Sequence, residues 1–365
     1  MLSTHTSHSN FRAKCLCKAA GYPIRMRKTV LITGGAGFIG SHFTEYLLAH
    51  YPNYEVRVLD ALTYAGRREN LAAVEGDPRF TFIYGDVRDK QAVREAMQGV
   101  HFVVHFAAET HVDRSILDPD AFITTDVYGT FVMLEMARQA GVERFVHVST
   151  DEVYGSAEQS AFTEESPLRP SSPYAASKAG ADLLAQAYAR TYGLPVLIVR
   201  PSNTFGPRQY PEKLIPLFTV RALHDQPLPL YGDGQQRRDW LYVADHVRAI
   251  DTVLHRGQAG EAYNIAGGNE RVNIEVSRLI LHTLGKPESL IQFVKDRPAH
   301  DRRYALDDSK LRALGWQPEA DFEAALRETV LWYANHPEWW QPILQDKQEY
   351  HGFIQRWYGQ SLPSP

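Results

Sequence analysis

Cysteine is nearly missing from this chain of 365 residues, with only Cys15 and Cys17 present. That excludes a disulfide framework, a four-cysteine zinc site and a cysteine nucleophile in the body of the chain. Cys15 and Cys17 alone lack the further ligands of a closed metal site, so no metal is expected. The scarcity of thiols fits a reducing, cytoplasmic setting. A large excess of charge of one sign is missing too: 39 Lys and Arg against 43 Asp and Glu leave a net charge of −4. No global positive field exists to hold nucleic acid or an anionic membrane. Long apolar runs are also lacking, and a stretch such as Phe102 to Val104 is cut at once by His105. Runs of that length do not span a bilayer. Hydrophobic residues make up 44% and charged residues 22%, the balance of one large globular domain or two closely joined lobes.

Residues 1–27 lack acids altogether, yet carry Arg12, Lys14, Lys18, Arg25 and Arg27. No apolar core accompanies these bases, which argues against a secretory signal. The composition is open to an organellar transit peptide, a disordered leader, or a start placed ahead of Met26. We read it as a disordered basic tail.

The body of the chain holds short β-branched runs that alternate with helical stretches. Strands read at Lys28 to Thr33, Tyr54 to Asp60, Arg79 to Tyr84, His101 to Phe106, Phe145 to Thr150 and Pro195 to Arg200. Helices read from Gly40 to about His50, Asp89 to Gln98, Pro119 to Ala140 and Tyr174 to Tyr192, with Gly141 and Gly193 closing the last two. This alternation predicts an α/β fold, a Rossmann-type doubly wound parallel sheet. After Arg200 the rhythm breaks and prolines cluster at 201, 207, 211, 216, 227 and 229. That half reads as a smaller C-terminal α/β substrate-binding lobe, with elements at Val243 to His255, Val276 to Leu284 and Phe322 to Ala334. The expected division is a tail over 1–27, an NAD-binding domain over 28–200 with a later contribution from about 239–267, a mainly substrate-binding lobe over 201–340, and an extension over 341–365. Trp339, Trp340 and Trp357 are expected to pack rather than bind.

Gly34, Gly37 and Gly40 stand between the first strand and the first helix. Their spacing suits a tight turn that lets main chain approach a pyrophosphate at a helix N-terminus. The pattern alone is weak, but strand before and helix after is the context that gives it meaning. Asp60 ends the second strand about 20 residues beyond Gly40, where an acid binds the adenosine ribose. A carboxylate there repels a 2′-phosphate, so NAD is expected rather than NADP. Asp86 and Val87 after the third strand are candidates for the adenine. Phe106, Ala107, Ala108 and Glu109 after the fourth are placed to line the cofactor.

Tyr174 and Lys178 lie four residues apart, on one face of a helix. A free tyrosine has a pKa of about 10 and is only ~0.1% phenolate near neutrality. A lysine ammonium and a positive nicotinamide nearby are expected to favour the phenolate. Tyr174 can then take a proton from a sugar hydroxyl as hydride leaves the same carbon. Thr150, Asp151 and Glu152 follow the fifth strand, at the carboxyl edge where open α/β sheets bind ligands. Two adjacent carboxyls suit a proton donor and a proton acceptor if their surroundings separate their pKa values.

With these residues in view, the chain resembles the extended short-chain dehydrogenase/reductase family, and within it the dTDP-glucose 4,6-dehydratases. The resemblance covers about residues 28 to 340. It rests on Thr33 to Gly40, Leu62 to Gly66, Ala107 to Ile116, Ser149 to Gly155, Tyr174 to Lys178, Pro211 to Leu217, Arg238 to Trp240 and Asp296 to Tyr304. The Asp151–Glu152 pair discriminates: related epimerases lack both acids, and decarboxylases and GDP-mannose dehydratases usually carry Ser in place of the first.

The resemblance implies a reaction in three stages. Tyr174, with Thr150 and Lys178, oxidises the glucosyl C4 hydroxyl onto NAD. Glu152 removes the C5 proton while Asp151 protonates the departing C6 hydroxyl. Hydride then returns to C6, giving dTDP-4-dehydro-6-deoxy-glucose for rhamnose or other deoxysugar pathways. It also implies cofactor contacts at Phe38, Ile39, Ala61, Leu62, Thr63, Thr110, Thr125 and Thr204, besides those above. Implied substrate contacts are Thr110, Thr150, Asn203, Lys213, Leu214, Pro229, Leu230, Tyr231, Arg238, Asn273, Asp296, Arg297, Pro298, Ala299 and His300. Lys213, Arg238 and Arg297 suit the diphosphate charge. A homodimer pairing the helices around 119–140 and 174–192 is implied as well. Four positions depart from the family: Thr110 stands for Ser, Thr204 for Asn, Ala299 for Gly and Asp126 for Asn. The rival enzyme classes are a nucleotide-sugar epimerase or decarboxylase. The rival outside catalysis is an NAD-binding sensor, which would break the Thr150, Tyr174 and Lys178 set that is intact here.

Overall fold

The computed structural model describes residues 27–346 and 348–359. The readings placed on the basic tail, Cys15, Cys17 and Met26 lie outside the described residues. Strand β1 (Lys28–Thr33) runs through the middle of the molecule, with Val30, Leu31 and Ile32 fully buried. Each such apolar side chain contributes about 1.5–3 kcal/mol when covered. It is flanked by β2 (Tyr54–Asp60), β3 (Phe80–Tyr84), β4 (Phe102–His105), β5 (Arg144–Val148) and β6 (Val196–Pro201). The second half adds β7 (Asn203–Phe205), β8 (Leu228–Tyr231), β9 (Arg237–Tyr242), β10 (Ala262–Ile265), β11 (Glu270–Val272) and β12 (Ile291–Val294).

Seven strands form one sheet in the order β10-β6-β5-β4-β1-β2-β3, parallel throughout. The chain winds from β1 outward to β3, then crosses to β4 and winds the other way. The crevice at the carboxyl ends of β1 and β4 is therefore the switch point where such sheets hold ligands. One face of the sheet is packed by Phe43, Leu47 and Val247, the other by Val132, Leu134 and Ala185. The later residues build a three-stranded sheet β11-β9-β7 and a two-stranded sheet β12-β8 over the same edge.

The helix Pro173–Tyr192 starts where Ser172 accepts from Ala175 N–H, has Pro173 in its first turn, and stops at Gly193 with φ 67. Asp182 on this helix takes both Nε and Nη2 of Arg200 from β6, at 2.8 and 2.9 Å. The same guanidinium donates to the Tyr154 hydroxyl at 2.6 Å. A bidentate buried pair of this kind locks the helix to the loop that follows β5.

The stretch read as one long helix over Pro119 to Ala140 is instead three pieces. An α-turn (Pro119–Phe122) leads into a wide π-helical turn (Ile123–Gly129) and then an α-helix (Thr130–Ala140) that ends at Gly141, φ 68. The wide turn goes with Asp126 facing inward, where its carboxylate accepts from Glu109 N–H at 2.7 Å and Ser177 Oγ at 2.6 Å. Trp339 and Trp340 pack in the core of the smaller lobe, beside Tyr333 and Val330. Trp357 is partly buried against the same cluster, and its Nε1 donates to the Tyr231 hydroxyl at 2.5 Å.

Candidate active site

At the switch point the main chain does the shaping. Gly34 has φ 68, and a Cβ there would lie 2.7 Å from the backbone nitrogen of Ala107. A Cβ on Gly40 would lie 2.4 Å from the Gly34 carbonyl. The helix Phe38–His50 begins at once, with Gly37 as its N-cap, so its free N–H groups face the crevice. Asp60 closes β2; Oδ2 accepts from Ala36 N–H at 2.9 Å and Oδ1 from Leu62 N–H at 2.8 Å. Burial raises its carboxyl above the ordinary range, and these two N–H groups oppose that.

One cavity is lined by Gly34, Gly37, Phe38, Ile39, Gly40, Asp60, Ala61, Thr63, Asp86 and Val87. It continues along Phe106, Ala107, Ala108, Glu109, Thr110, Thr125 and Thr204 to Thr150, Asp151, Glu152, Tyr174 and Lys178. Leu62 does not line it; with φ 49, it turns its side chain onto the core and braces Asp60 through its N–H. Glycines a Cβ would fill, a helix N-terminus and a ribose-sized acid together fit a dinucleotide.

Beyond β5 the chain turns through Asp151–Tyr154. Thr150 Oγ1 donates to Asp151 Oδ1 at 3.2 Å and accepts from Glu152 N–H at 3.3 Å. Asp151 Oδ2 is buried without a partner among the described residues. Burial first, then Glu152, hold the Asp151 carboxyl well above the usual range, against Arg238 and the Thr150 bond. Burial also raises Glu152, but three cations act against it: Arg297, Lys213 and Arg238. Adjacent acids thus sit in unequal fields: both carboxyls are raised by burial, and the cations act mainly on Glu152.

One expectation changes here. A lysine ammonium and a positive nicotinamide together are expected to favour the phenolate of Tyr174, and the protein's own groups act against them. The Tyr174 pKa is raised well above the ordinary value, by burial and then by Glu152, Asp126 and Asp151, with only the Thr150 bond opposing. Lys178 donates to the Val148 carbonyl at 2.7 Å. The phenol lies among acids, so the protein alone favours its neutral form.

A second cavity opens from the first, sharing Glu152, Asn203, Thr204, Gln209, Glu212 and Lys213. Leu214, Pro229, Leu230, Tyr231, Arg238, Asn273, Arg297 and His300 line it. Lys213 precedes the helix Leu214–Leu223. Arg238 lies 4.3 Å over the Tyr304 ring, and Arg297 pairs with Asp113 at 2.9 Å. Asp296, Pro298 and Ala299 line neither cavity. Asp296 accepts from Gln236 at 3.0 Å and pairs with His300 Nδ1 at 2.5 Å, bracing the loop. Ala299 takes φ 51 at that bend.

The sequence reading missed several wall residues. Tyr304 reaches toward Glu152 Oε2 at 3.5 Å and donates to Asp301 at 2.9 Å. Glu212 holds Arg114 at 2.7 Å beside Lys213. Tyr358 meets the Tyr231 hydroxyl at 2.9 Å, so the last helix (Tyr350–Tyr358) reaches the cavity wall. Tyr304 and Glu212 stand inside motifs already singled out; Tyr358 has no local signal. No group of three or more His, Cys, Asp or Glu able to hold a metal occurs among the described residues.

A glycine turn at the switch point, faced by a tyrosine–lysine helix and covered by a second lobe, defines an extended short-chain dehydrogenase/reductase. The chain belongs to the GDP-mannose 4,6-dehydratase family, whose model matches residues 31–329. It is 49% identical over 317 residues to a dTDP-glucose 4,6-dehydratase of Actinoplanes sp., covering 85% of this chain and 99% of that one. It is 50% identical over 309 residues to the low-salt glycan biosynthesis protein Agl12 of Haloferax volcanii, covering 85% and 99%. The crystal structure of the dTDP-glucose 4,6-dehydratase DesIV from Streptomyces venezuelae, with NAD and thymidine diphosphate bound, matches with a TM-score of 0.85 and 53% identity. That match covers 86% of this chain and 99% of DesIV.

Proposed function

We propose that this chain dehydrates dTDP-glucose to dTDP-4-dehydro-6-deoxy-glucose, with NAD as its bound cofactor. One observation carries the reading: Asp151 and Glu152, side by side on one turn, face the cavity that Tyr174 lines and sit in unequal fields. Gly34, Gly37, Gly40 and Asp60 would hold the dinucleotide. When bound, NAD supplies a hydride acceptor beside the sugar and a positive ring charge.

Tyr174 would take the C4 hydroxyl proton as a phenolate, the form that the positive ring of bound NAD and the Lys178 ammonium would favour, with Thr150 as hydrogen-bond partner. The resulting ketone acidifies C5–H. Glu152, its negative form supported by Arg297, Lys213 and Arg238, accepts that proton. Asp151, kept protonated, donates to the C6 hydroxyl, which leaves as water. This order is physically required, because elimination needs a carbonyl to stabilise the carbanion. Lys213, Arg238 and Arg297 would offset the diphosphate, and Tyr231 and Asn273 would face the nucleoside.

A homodimer through the segments around 119–140 and 174–192 is supported by the exposed Ile123, Tyr128, Leu183 and Tyr192 on them. The division into an NAD-binding domain and a substrate lobe is supported by β10 joining the large sheet. A cytoplasmic setting is supported by the scarcity of cysteine.

The test is product analysis across dTDP-, UDP-, CDP- and GDP-sugars without added reductant. A keto-deoxy product from dTDP-glucose, with deuterium moved from C4 to C6 of the same molecule, is expected. Unchanged sugar, a C4 epimer, or loss of the label to solvent contradicts the proposal.

A further inference from the structure

We infer that Trp357 is a positioning residue for the substrate end of the cleft, holding Tyr231 by its hydroxyl and, through Tyr231, the Asp113–Arg297 pair. The inference rests on the proposed function for the identity of the bound nucleotide, though not for the clasp itself. Trp357 lies on the last helix, Tyr350–Tyr358, beyond the residues 31–329 that the family model matches. It lines neither cavity, whereas Tyr231, Asp113 and Arg297 all line the second. Any effect it has on a ligand passes through the wall it supports.

Three groups converge on the Tyr231 hydroxyl: Trp357 Nε1 at 2.5 Å, Asp113 Oδ2 at 2.7 Å and the Tyr358 hydroxyl at 2.9 Å. A phenol has one proton and two lone pairs, an indole N–H only donates, and a carboxylate only accepts. One proton serves one acceptor, and the charged one takes it. The lone pairs are then left for the indole N–H and for Tyr358. The hydroxyl is thereby held from three sides. The ring is held as well, by Tyr358 stacked at 6.0 Å and by His300 edge-on at 5.7 Å.

The chain of contacts continues to a cation. Asp113 is 1% exposed, and its Oδ1 takes Arg297 Nη1 at 2.9 Å. Arg297 Nε is buried without a partner among the described residues, which leaves that donor uncommitted on a side chain lining the cavity. The last helix also grips the Asp113 segment from its other end. Glu349, its N-cap, pairs with Arg114 at 3.3 Å, and the Arg114 guanidinium lies 4.5 Å over the Phe353 ring. His111 meets Phe353 edge-on at 5.3 Å. Asp113 stands between these two contacts, in the short helix Val112–Leu117.

Trp357→Phe keeps an aromatic ring and removes only the N–H. The Tyr231 hydroxyl then loses one of its three partners, and Tyr231 and the pair it holds are no longer fixed before a ligand arrives. The loss falls on binding, because Thr150, Tyr174 and Glu152 are untouched. Trp357→Phe should weaken dTDP binding about 5-fold by calorimetry and raise KM for dTDP-glucose by about the same factor, with kcat and NAD affinity within about two-fold of native. In a Tyr231→Phe background the same change should have no further effect, since the acceptor is already gone.

Unchanged dTDP affinity overturns the inference. So does an equal loss of kcat or of NAD affinity, an undiminished loss in the Tyr231→Phe background, or a Trp357→Phe protein that does not fold, which would make Trp357 a packing residue. A second readout needs no ligand. The indole N–H resonance that disappears in Trp357→Phe identifies this proton in the native spectrum; it should shift in Tyr231→Phe, and a resonance that stays in place overturns the inference. If the resonance shifts and dTDP binds while no keto sugar forms, the proposed function fails and the clasp stands. If the native protein binds no dTDP, the proposed function fails and the indole resonance alone decides the clasp.

Discussion

At the cofactor end of the cleft the walls are main chain: Gly34 against Ala107, Gly40 against Gly34, and the first turn of the helix Phe38–His50. At the substrate end they are long charged side chains from four separate segments: Asp113, Lys213, Arg238 and Arg297. The first arrangement leaves no room for a side-chain atom, and any change strains backbone. The second spends its charges in pairs and stacks, such as Arg297 with Asp113 and Arg238 over Tyr304. Asp151 and Glu152 stand at the join. Asp151 lines only the first cavity, while Glu152 lines both and feels the cations of the second. The difference teaches that one end is specified by what cannot fit, and the other by which charges are brought in to balance an anion.

The join should give the largest effect. Glu152→Gln removes the proton acceptor but not the hydride partner, so turnover should fall about 1,000-fold while reduced-nicotinamide absorbance builds up. Turnover within a few-fold of native would show that the acceptor lies elsewhere. At the cofactor end, Gly34→Ala places a Cβ 2.7 Å from a backbone nitrogen at positive φ. NAD affinity should drop about 100-fold by calorimetry, with the sugar end intact; a few-fold loss would break the contrast. At the substrate end, Arg238→Lys keeps charge but loses the planar stack. It should raise KM roughly 10-fold and leave NAD affinity unchanged. An equal loss of both affinities would mean that the two ends are not separate.

The smallest effect concerns Glu109, whose carboxyl is raised to about 7 by burial first and by Asp126 next. A folded-state pKa above the unfolded one favours the fold at low pH. That support is lost as pH rises from the ordinary carboxylate range through about 7. Glu109→Gln removes the dependence. The variant should melt roughly 2 °C above native on the alkaline side and no higher on the acid side. A constant difference across pH would assign Glu109 no such role.

The cofactor end was legible because steric demands write themselves as glycine at fixed spacing, and Asp60 falls at the matching strand end. The substrate end was legible only through resemblance. A lone Lys213 or Arg297 looks like any solvated charge, and nothing local says that residues so far apart in sequence meet. Leu62 and Ala299, assigned to binding, turned out to sit at bends with positive φ that support the residues beside them. The π turn at Ile123–Gly129 escaped because helical periodicity cannot reveal a side chain drawn inward by Glu109 and Ser177. Tyr358 escaped because its partner Tyr231 lies across the lobe.

Infrared difference spectroscopy at neutral pH on carboxyl-to-amide variants tests the division of labour at the join most directly. Asp151→Asn should remove a protonated-carboxyl band, and Glu152→Gln should remove only carboxylate absorption. The reverse pattern, or carboxylate loss in both, would contradict an acid and a base made from neighbours by unequal surroundings.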